Sequence, residues 1–501
     1  MTISKRMKQS CLLLAVAFAF GPALLPAQSL EEKVTAHTLK NGLTVLFAER
    51  HGAPVFSTLY GFKVGSVDEY PGVTGTAHLF EHMAFKGTPK IGTKDYEKEK
   101  VLMDKIAQVG REWSVELAKG DRGDQEKIAR LRDELTKLEQ EQKAFVVKDE
   151  IDLVYSNAGG TGLNAGTGTD QTMYIISLPA NQFELFCLME SERIRNTVLR
   201  EFYIERSVIQ EERKQTTDAV PTRLLNEMFM GAAFIAHPYN HPVVGWASDI
   251  NSVTLEEAQA FKQKYYTPNN CVLAIVGDIY PEKAIPLVEK YFGEIPRGED
   301  PPLFRTVEPK QLGERRVRFE FDAEPQLQMG FHKPTFPSRE DAAASVLAYI
   351  LTTGRTSRIY KDLIQDKQLA VSVFAGSSPG VRYPNLFTFN AVPRYPHTLE
   401  EVEKAILDHV EKVKAEPVSE RELQKVKNNI DASYIRSMSS NFGIASTLVR
   451  YQLLFGNWKL FLKYRDLINS VTAADIMDFA KTTLTQENRT VAYLVKKAKA
   501  S

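Results

Sequence analysis

Cysteine is scarce in this chain, with three among 501 residues. Cys11 falls in an apolar N-terminal run, which leaves Cys187 and Cys271. Both sit in apolar segments and neither is near the histidine motif described below. They read as buried structural thiols and not as metal ligands, although an oxidising compartment permits a disulfide. An excess of either charge is also absent: Lys plus Arg and Asp plus Glu each total 63. That balance excludes a basic nucleic-acid surface and an acidic solvating tail. Beyond the N-terminus no apolar run reaches the roughly 18 residues needed to span a bilayer. The rest is an ordinary globular composition, 43% hydrophobic and 25% charged, long enough for two large domains.

The N-terminus differs. Lys5, Arg6 and Lys8 precede an apolar run from Cys11 to Leu25, which ends in Leu25-Pro26-Ala27-Gln28. A basic start, an apolar centre and a small residue at the end describe a signal peptide, residues 1–27. An uncleaved anchor is the competing reading, but Gly21 and Pro22 interrupt a run that is already short. Removal after about Ala27 predicts an exported protein, periplasmic or extracellular, with no membrane span left.

What the chain does have is the stretch Gly75-Thr76-Ala77-His78-Leu79-Phe80-Glu81-His82-Met83-Ala84-Phe85-Lys86-Gly87-Thr88. On a helix His78 and His82 stand one turn apart on one face, a separation at which two imidazoles can share a zinc ion. Glu81 shares that face, so it reaches water at the metal without being a ligand. The spacing H-x-x-E-H is the inverse of H-E-x-x-H. Leu79, Phe80, Met83 and Phe85 make the helix apolar, and burying two imidazoles and a carboxylate there without partners would cost several kcal/mol. A hydrolytic zinc site needs a third protein ligand. Downstream, Glu205-Arg206-Ser207-Val208-Ile209-Gln210-Glu211-Glu212 places Glu205 and Glu212 seven residues apart, two turns, on one face. Glu212 is the candidate third ligand and Glu205 the candidate partner that orients a ligand. Read alone, this stretch favours an acidic solvated helix over a ligand helix.

The two motifs together resemble the pitrilysin/insulinase family of zinc peptidases, most closely its mitochondrial-processing-peptidase-like branch. The matches are Gly75, His78, Glu81, His82, Phe85, Gly87 and Thr88, then Glu205 and Glu212. The resemblance implies a zinc endopeptidase acting on unfolded or extended peptides, with one Zn2+ per chain. His78, His82 and Glu212 would be its ligands and Glu81 its general base. The segment Leu163-Asn164-Ala165-Gly166-Thr167 resembles the family's edge strand beside the metal, and this makes Asn164 and Ala165 candidate substrate-binding residues that pair with a peptide backbone.

The gap from His82 to Glu212 is longer than the family pattern. Between them residues 94–150 are about half charged, with apolar residues at helical spacing (Leu102, Ile106, Val109, Trp113; Ile128, Leu131, Leu135, Leu138) broken at Gly120 and Gly123. A long helical hairpin inserted in the first domain is expected, as a partner surface, a gate or a solvated ornament. Thr38 to Ala48 reads as a hairpin turning at Lys40-Asn41-Gly42, and Cys271 to Gly277 as a strand. His237-Pro238 and His241-Pro242 read as rigid loop rather than a second metal site. A Pro-containing linker, 299–313, follows, and then the order of elements restarts without a His pair. The expected fold is α/β (α+β): two related domains, 28–298 and 314–501, each a mixed, largely antiparallel sheet with helices packed on it, forming a clamshell.

The second domain departs from the family at one informative place. Gly354-Arg355-Thr356-Ser357-Arg358-Ile359-Tyr360 and Leu363 to Val373 resemble a family segment that in many active members carries an Arg and a Tyr gripping the substrate carbonyl. The matching positions here are Ile364 and Val371, neither a hydrogen-bond donor. The resemblance therefore implies the zinc-bearing chain of a two-chain peptidase, with a related subunit supplying the Arg/Tyr pair, or a homodimer. A non-catalytic core or peptide-binding subunit is the alternative.

Overall fold

The computed structural model describes residues 30–497; the expected signal segment, with Cys11, lies outside the described residues. Among the described residues eleven strands form two sheets. The first domain contributes β1 (Val34–Thr38), β2 (Thr44–Glu49), β3 (Val55–Phe62), β4 (Thr161–Thr167), β5 (Thr172–Pro179) and β6 (Cys271–Gly277). The second contributes β7 (Arg315–Phe321), β8 (Gln326–Lys333), β9 (Ala370–Ser378), β10 (Asn385–Pro393) and β11 (Arg489–Lys496). Strand order is β1-β2-β6-β3-β5-β4 in one sheet and β7-β11-β8-β10-β9 in the other. With β1 set aside the two orders coincide. β2 with β6 and β7 with β11 pair parallel, and all other neighbours pair antiparallel. This is the internal repeat expected from the order of elements. It makes β4 and β9 equivalent strands, each at an open sheet edge. Every residue of β6 is buried, as its unbroken apolar sequence requires of a central strand covered on both faces.

The helices do not divide as the sheets do. Pro221–Ala233, which precedes the linker, packs Leu225, Phe229, Met230 and Ala233 against Leu386, Ala492 and Leu494 of the second sheet. Asn441–Phe455 packs Ile444, Leu448, Val449 and Leu453 against Leu46, Leu59, Ala274 and Val276 of the first. Each sheet is thus covered by a helix from the other half of the chain. The central strands admit these helices through glycines. A Cβ at Gly330 would meet Phe229 Cζ at 2.7 Å, and one at Gly61 would meet Leu453 Cδ2 and Val449 Cγ1 at 3.1 Å. Loops add polar ties: Asp170 accepts from the Val381 and Arg382 amides at 2.6 and 3.1 Å, and Arg382 pairs with Asp68 at 3.0 Å.

The insertion is the expected hairpin, Tyr96–Leu117 and Gln125–Gln142. It is anchored to the helix Phe202–Arg213. Fully buried Arg200 donates Nε to Glu99 Oε1 at 2.6 Å. Arg206 donates to Ser114 Oγ at 2.6 Å and to the Val253 carbonyl at 2.7 Å, with its guanidinium 4.6 Å from the Trp113 ring centre. Cys187 and Cys271 are free and buried. No helix among the described residues is long and apolar enough to cross a membrane.

Candidate metal centre

The helix Thr76–Met83 starts where Gly75 takes a left-handed conformation, φ 87°. Only glycine fits there, since a Cβ would lie 2.5 Å from the Val244 carbonyl oxygen. Buried Glu69 covers the helix start, accepting from the amides of Gly75 and Ala77 at 2.8 and 2.7 Å. Asp249 fixes the preceding turn through the Thr74 hydroxyl, 2.7 Å, and the Gly72 amide, 3.0 Å. Leu79, Phe80 and Met83 point into the core, which turns His78, Glu81 and His82 toward the outer face.

The helix Phe202–Arg213 crosses this face. Glu212 Oε1 lies 3.7 Å from His78 Nε2, and Glu212 Oε2 lies 3.5 Å from His82 Nε2. One ligand atom from each of His78, His82 and Glu212 lies within 4.8 Å of the others. A tetrahedral zinc ion with bonds near ~2.1 Å separates its ligand atoms by about 3.4 Å. The spacing and the donor set, two imidazoles and a carboxylate, therefore fit zinc. His82 Nδ1 donates to Glu205 Oε2 at 3.3 Å, which leaves the lone pair on Nε2 toward Glu212. Glu205 is itself paired with Lys86, which also reaches Glu201 at 3.1 Å. Burial, with the neighbouring His82, pulls the His78 pKa down to about 4, so its imidazole is neutral at pH 7, as a ligand must be. The His82 pKa is raised: burial opposes, but the Glu205 carboxylate prevails.

Glu81 is the non-ligand carboxylate of the face. Its Oε2 accepts from Thr167 Oγ1 at 2.6 Å, and burial raises its pKa against that bond. Two cavities meet at Glu81. One, of about 280 Å³, runs past His82, Phe85 and Lys86 to Val146 and Ile151 at the base of the insertion. The other, about 460 Å³, is shared by His78, Glu212, Ala165 and Arg223. Ala165 lies on β4, whose outer edge pairs with no described strand; Asn164 is exposed beside it. Ile364 and Val371 line neither cavity. His237 packs among Tyr239, Phe304 and Tyr383, and its Nδ1 accepts from the Tyr239 amide at 3.2 Å, the rigid loop expected. Sequence reasoning missed Glu69, Asp249, Lys86 and Thr167. Of these, Thr167, within the edge-strand motif, and Lys86, within the histidine motif, left a local signal.

The two sheets and the His-His-Glu group define the class, a protein of the two-domain M16 peptidase architecture. Two family models match in succession: "Insulinase (Peptidase family M16)" over residues 45–110, and "Peptidase M16 inactive domain" over residues 252–430. The chain belongs to this insulinase family. It is 26% identical over 438 residues to the zinc protease PqqE of Helicobacter pylori, covering 86% of this chain and 85% of that one. An uncharacterised zinc protease of Mycobacterium tuberculosis is 24% identical over 461 residues, 91% of each chain. Among solved structures, a protease from Helicobacter pylori superposes with a TM-score of 0.77 at 25% identity, covering 92% of this chain and 99% of that one. The periplasmic protease PqqL from Escherichia coli superposes at 0.68 and 17%, covering 94% of this chain but 48% of that one. In fold, this chain corresponds to about half of PqqL.

Proposed function

We propose that the chain is a zinc-dependent endopeptidase hydrolysing extended or unfolded peptides, exported from the cell, and the zinc-bearing chain of a two-chain peptidase. The observation that carries this reading is the convergence of His78, His82 and Glu212 beside Glu81, a carboxylate outside that group. Those three residues would hold one zinc ion, which when bound supplies a Lewis acid that lowers the pKa of water toward neutrality. Glu81, held by Thr167, takes the proton from the attacking water and returns it to the leaving amine. Its raised pKa suits a group that must carry a proton between two partners. Glu205 holds His82 in the tautomer that presents Nε2. The open edge of β4 at Asn164 and Ala165 would bind substrate main chain as an added strand, which selects for extended chains more than for particular side chains.

The two-chain reading is supported by Ile364 and Val371, which supply no donor for the substrate carbonyl, and by a fold that matches about half of a longer solved structure. Glu81→Gln tests the chemistry. The variant should bind zinc as the wild type does and lose hydrolysis of a quenched fluorescent peptide. Turnover at the wild-type rate in that variant would refute the role of Glu81.

A further inference from the structure

We infer that the larger cavity beside the metal centre recognises a carboxylate of the bound peptide, and that Arg223 is the residue that does so. The inference rests on the peptidase reading of the site. Arg223 lies in the first turn of the helix Pro221–Ala233 and lines the cavity shared with His78, Glu81 and Glu212. The cavity's own carboxylates are committed elsewhere. Glu81 accepts from Thr167, Glu212 sits against both imidazoles, and Glu227 is held by Arg213 through two bonds of 3.0 Å. Arg223, by contrast, makes no side-chain hydrogen bond or ion pair with any described residue. One turn on, Asn226 accepts from Gln328 Nε2 at 3.0 Å through Oδ1, so its amide is oriented and its Nδ2 donates to no described residue. An unpaired guanidinium and an oriented amide one turn apart form a donor pair. The first turn of a helix adds positive potential. A guanidinium fork matches a carboxylate in geometry as well as charge. Because β4 borders the same cavity through Ala165 and Gly166, a peptide laid along that edge would pass the pair.

The carboxylate could be an Asp or Glu side chain or the peptide's C-terminus, and the test separates the two. Full-length zinc-loaded Glu81→Gln protein is titrated with fluorescent peptides of one core sequence. In one arm each interior position carries Glu or Gln; in the other the C-terminus is free or amidated. Binding is read by anisotropy. In one arm, the acid should bind about tenfold more tightly than its neutral counterpart. Arg223→Gln should abolish the difference and Arg223→Lys should keep part of it. Arg223 is exposed, so neither change threatens the fold. Equal binding of acid and neutral peptides, no binding of either, or a preference that survives Arg223→Gln overturns the inference. Failure of the peptidase reading looks different: wild-type protein, with zinc and its partner, would cleave none of these peptides whatever their order of affinity.

Discussion

His82 uses its two nitrogens differently, and the difference comes from one carboxylate. Nδ1 is tied to Glu205, so Nε2 keeps its lone pair for the space it shares with His78 and Glu212. Glu205 is held in turn by Lys86; burial pushes its pKa up, but His82 and Lys86 together hold it below the usual carboxylate range. Glu205→Gln can still accept from His82 but loses the charge, so it should weaken zinc affinity by roughly 10- to 100-fold. Competition against a chelator of known affinity measures this, and an unchanged zinc affinity would show that Glu205 does not tune the site. At this scale the sequence revealed residues that repeat along one helix. His78, Glu81 and His82 announce a shared face by spacing, and so do Glu205 and Glu212. Glu69 and Asp249 stayed hidden because they belong to no periodic pattern. They act through backbone amides of another segment, and such bonds leave no mark on the sequence.

At the scale of elements, strands such as β2 and β6 were readable as short apolar runs between turn residues, and the order of elements repeats. The exchanged helices were not readable. Leu225, Phe229 and Ala233 show that one face of Pro221–Ala233 is buried, but periodicity does not say against which sheet. The exchange bears on the site, since Pro221–Ala233 follows the Glu212 helix after a single π-helical turn, Lys214–Asp218, and both are joined by the buried Arg213–Glu227 pair. The second sheet therefore braces the ligand helix. Gly330→Val should drive a side chain into Phe229 and destabilise the fold by about 1–3 kcal/mol. It should also weaken zinc binding, because Glu212 loses its brace. Thermal melting with and without zinc reads both effects, and a variant with unaltered melting would show that the interface has slack. The insertion holds the same helix through Arg206 on it and Arg200 just before it, which makes it a buttress of the Glu212 helix.

At the scale of the whole molecule, two sheets locked by exchanged helices and by Asp68–Arg382 cannot swing apart without exposing two apolar helix faces. A chamber that closes over a peptide would then need a second body. The place where donors are missing is accessible for supply from outside. The larger cavity is bounded by Pro379, just past the end of the open edge strand β9, while Val371, 56% exposed, lies at that strand's opposite end and away from the cavity. The zinc-loaded chain alone should thus hydrolyse peptides slowly. A related chain with Arg and Tyr at the positions of Ile364 and Val371 should raise kcat/KM by about 10²–10³, the range lost when an oxyanion donor is removed from other hydrolases. The gain should require the donors themselves: the same partner with those two residues returned to Ile and Val should associate equally well and accelerate nothing. Association is followed by sedimentation and rate by peptide fluorescence. Full activity of the purified chain without any partner would end the two-chain reading and leave the zinc chemistry to His78, His82, Glu212 and Glu81 alone.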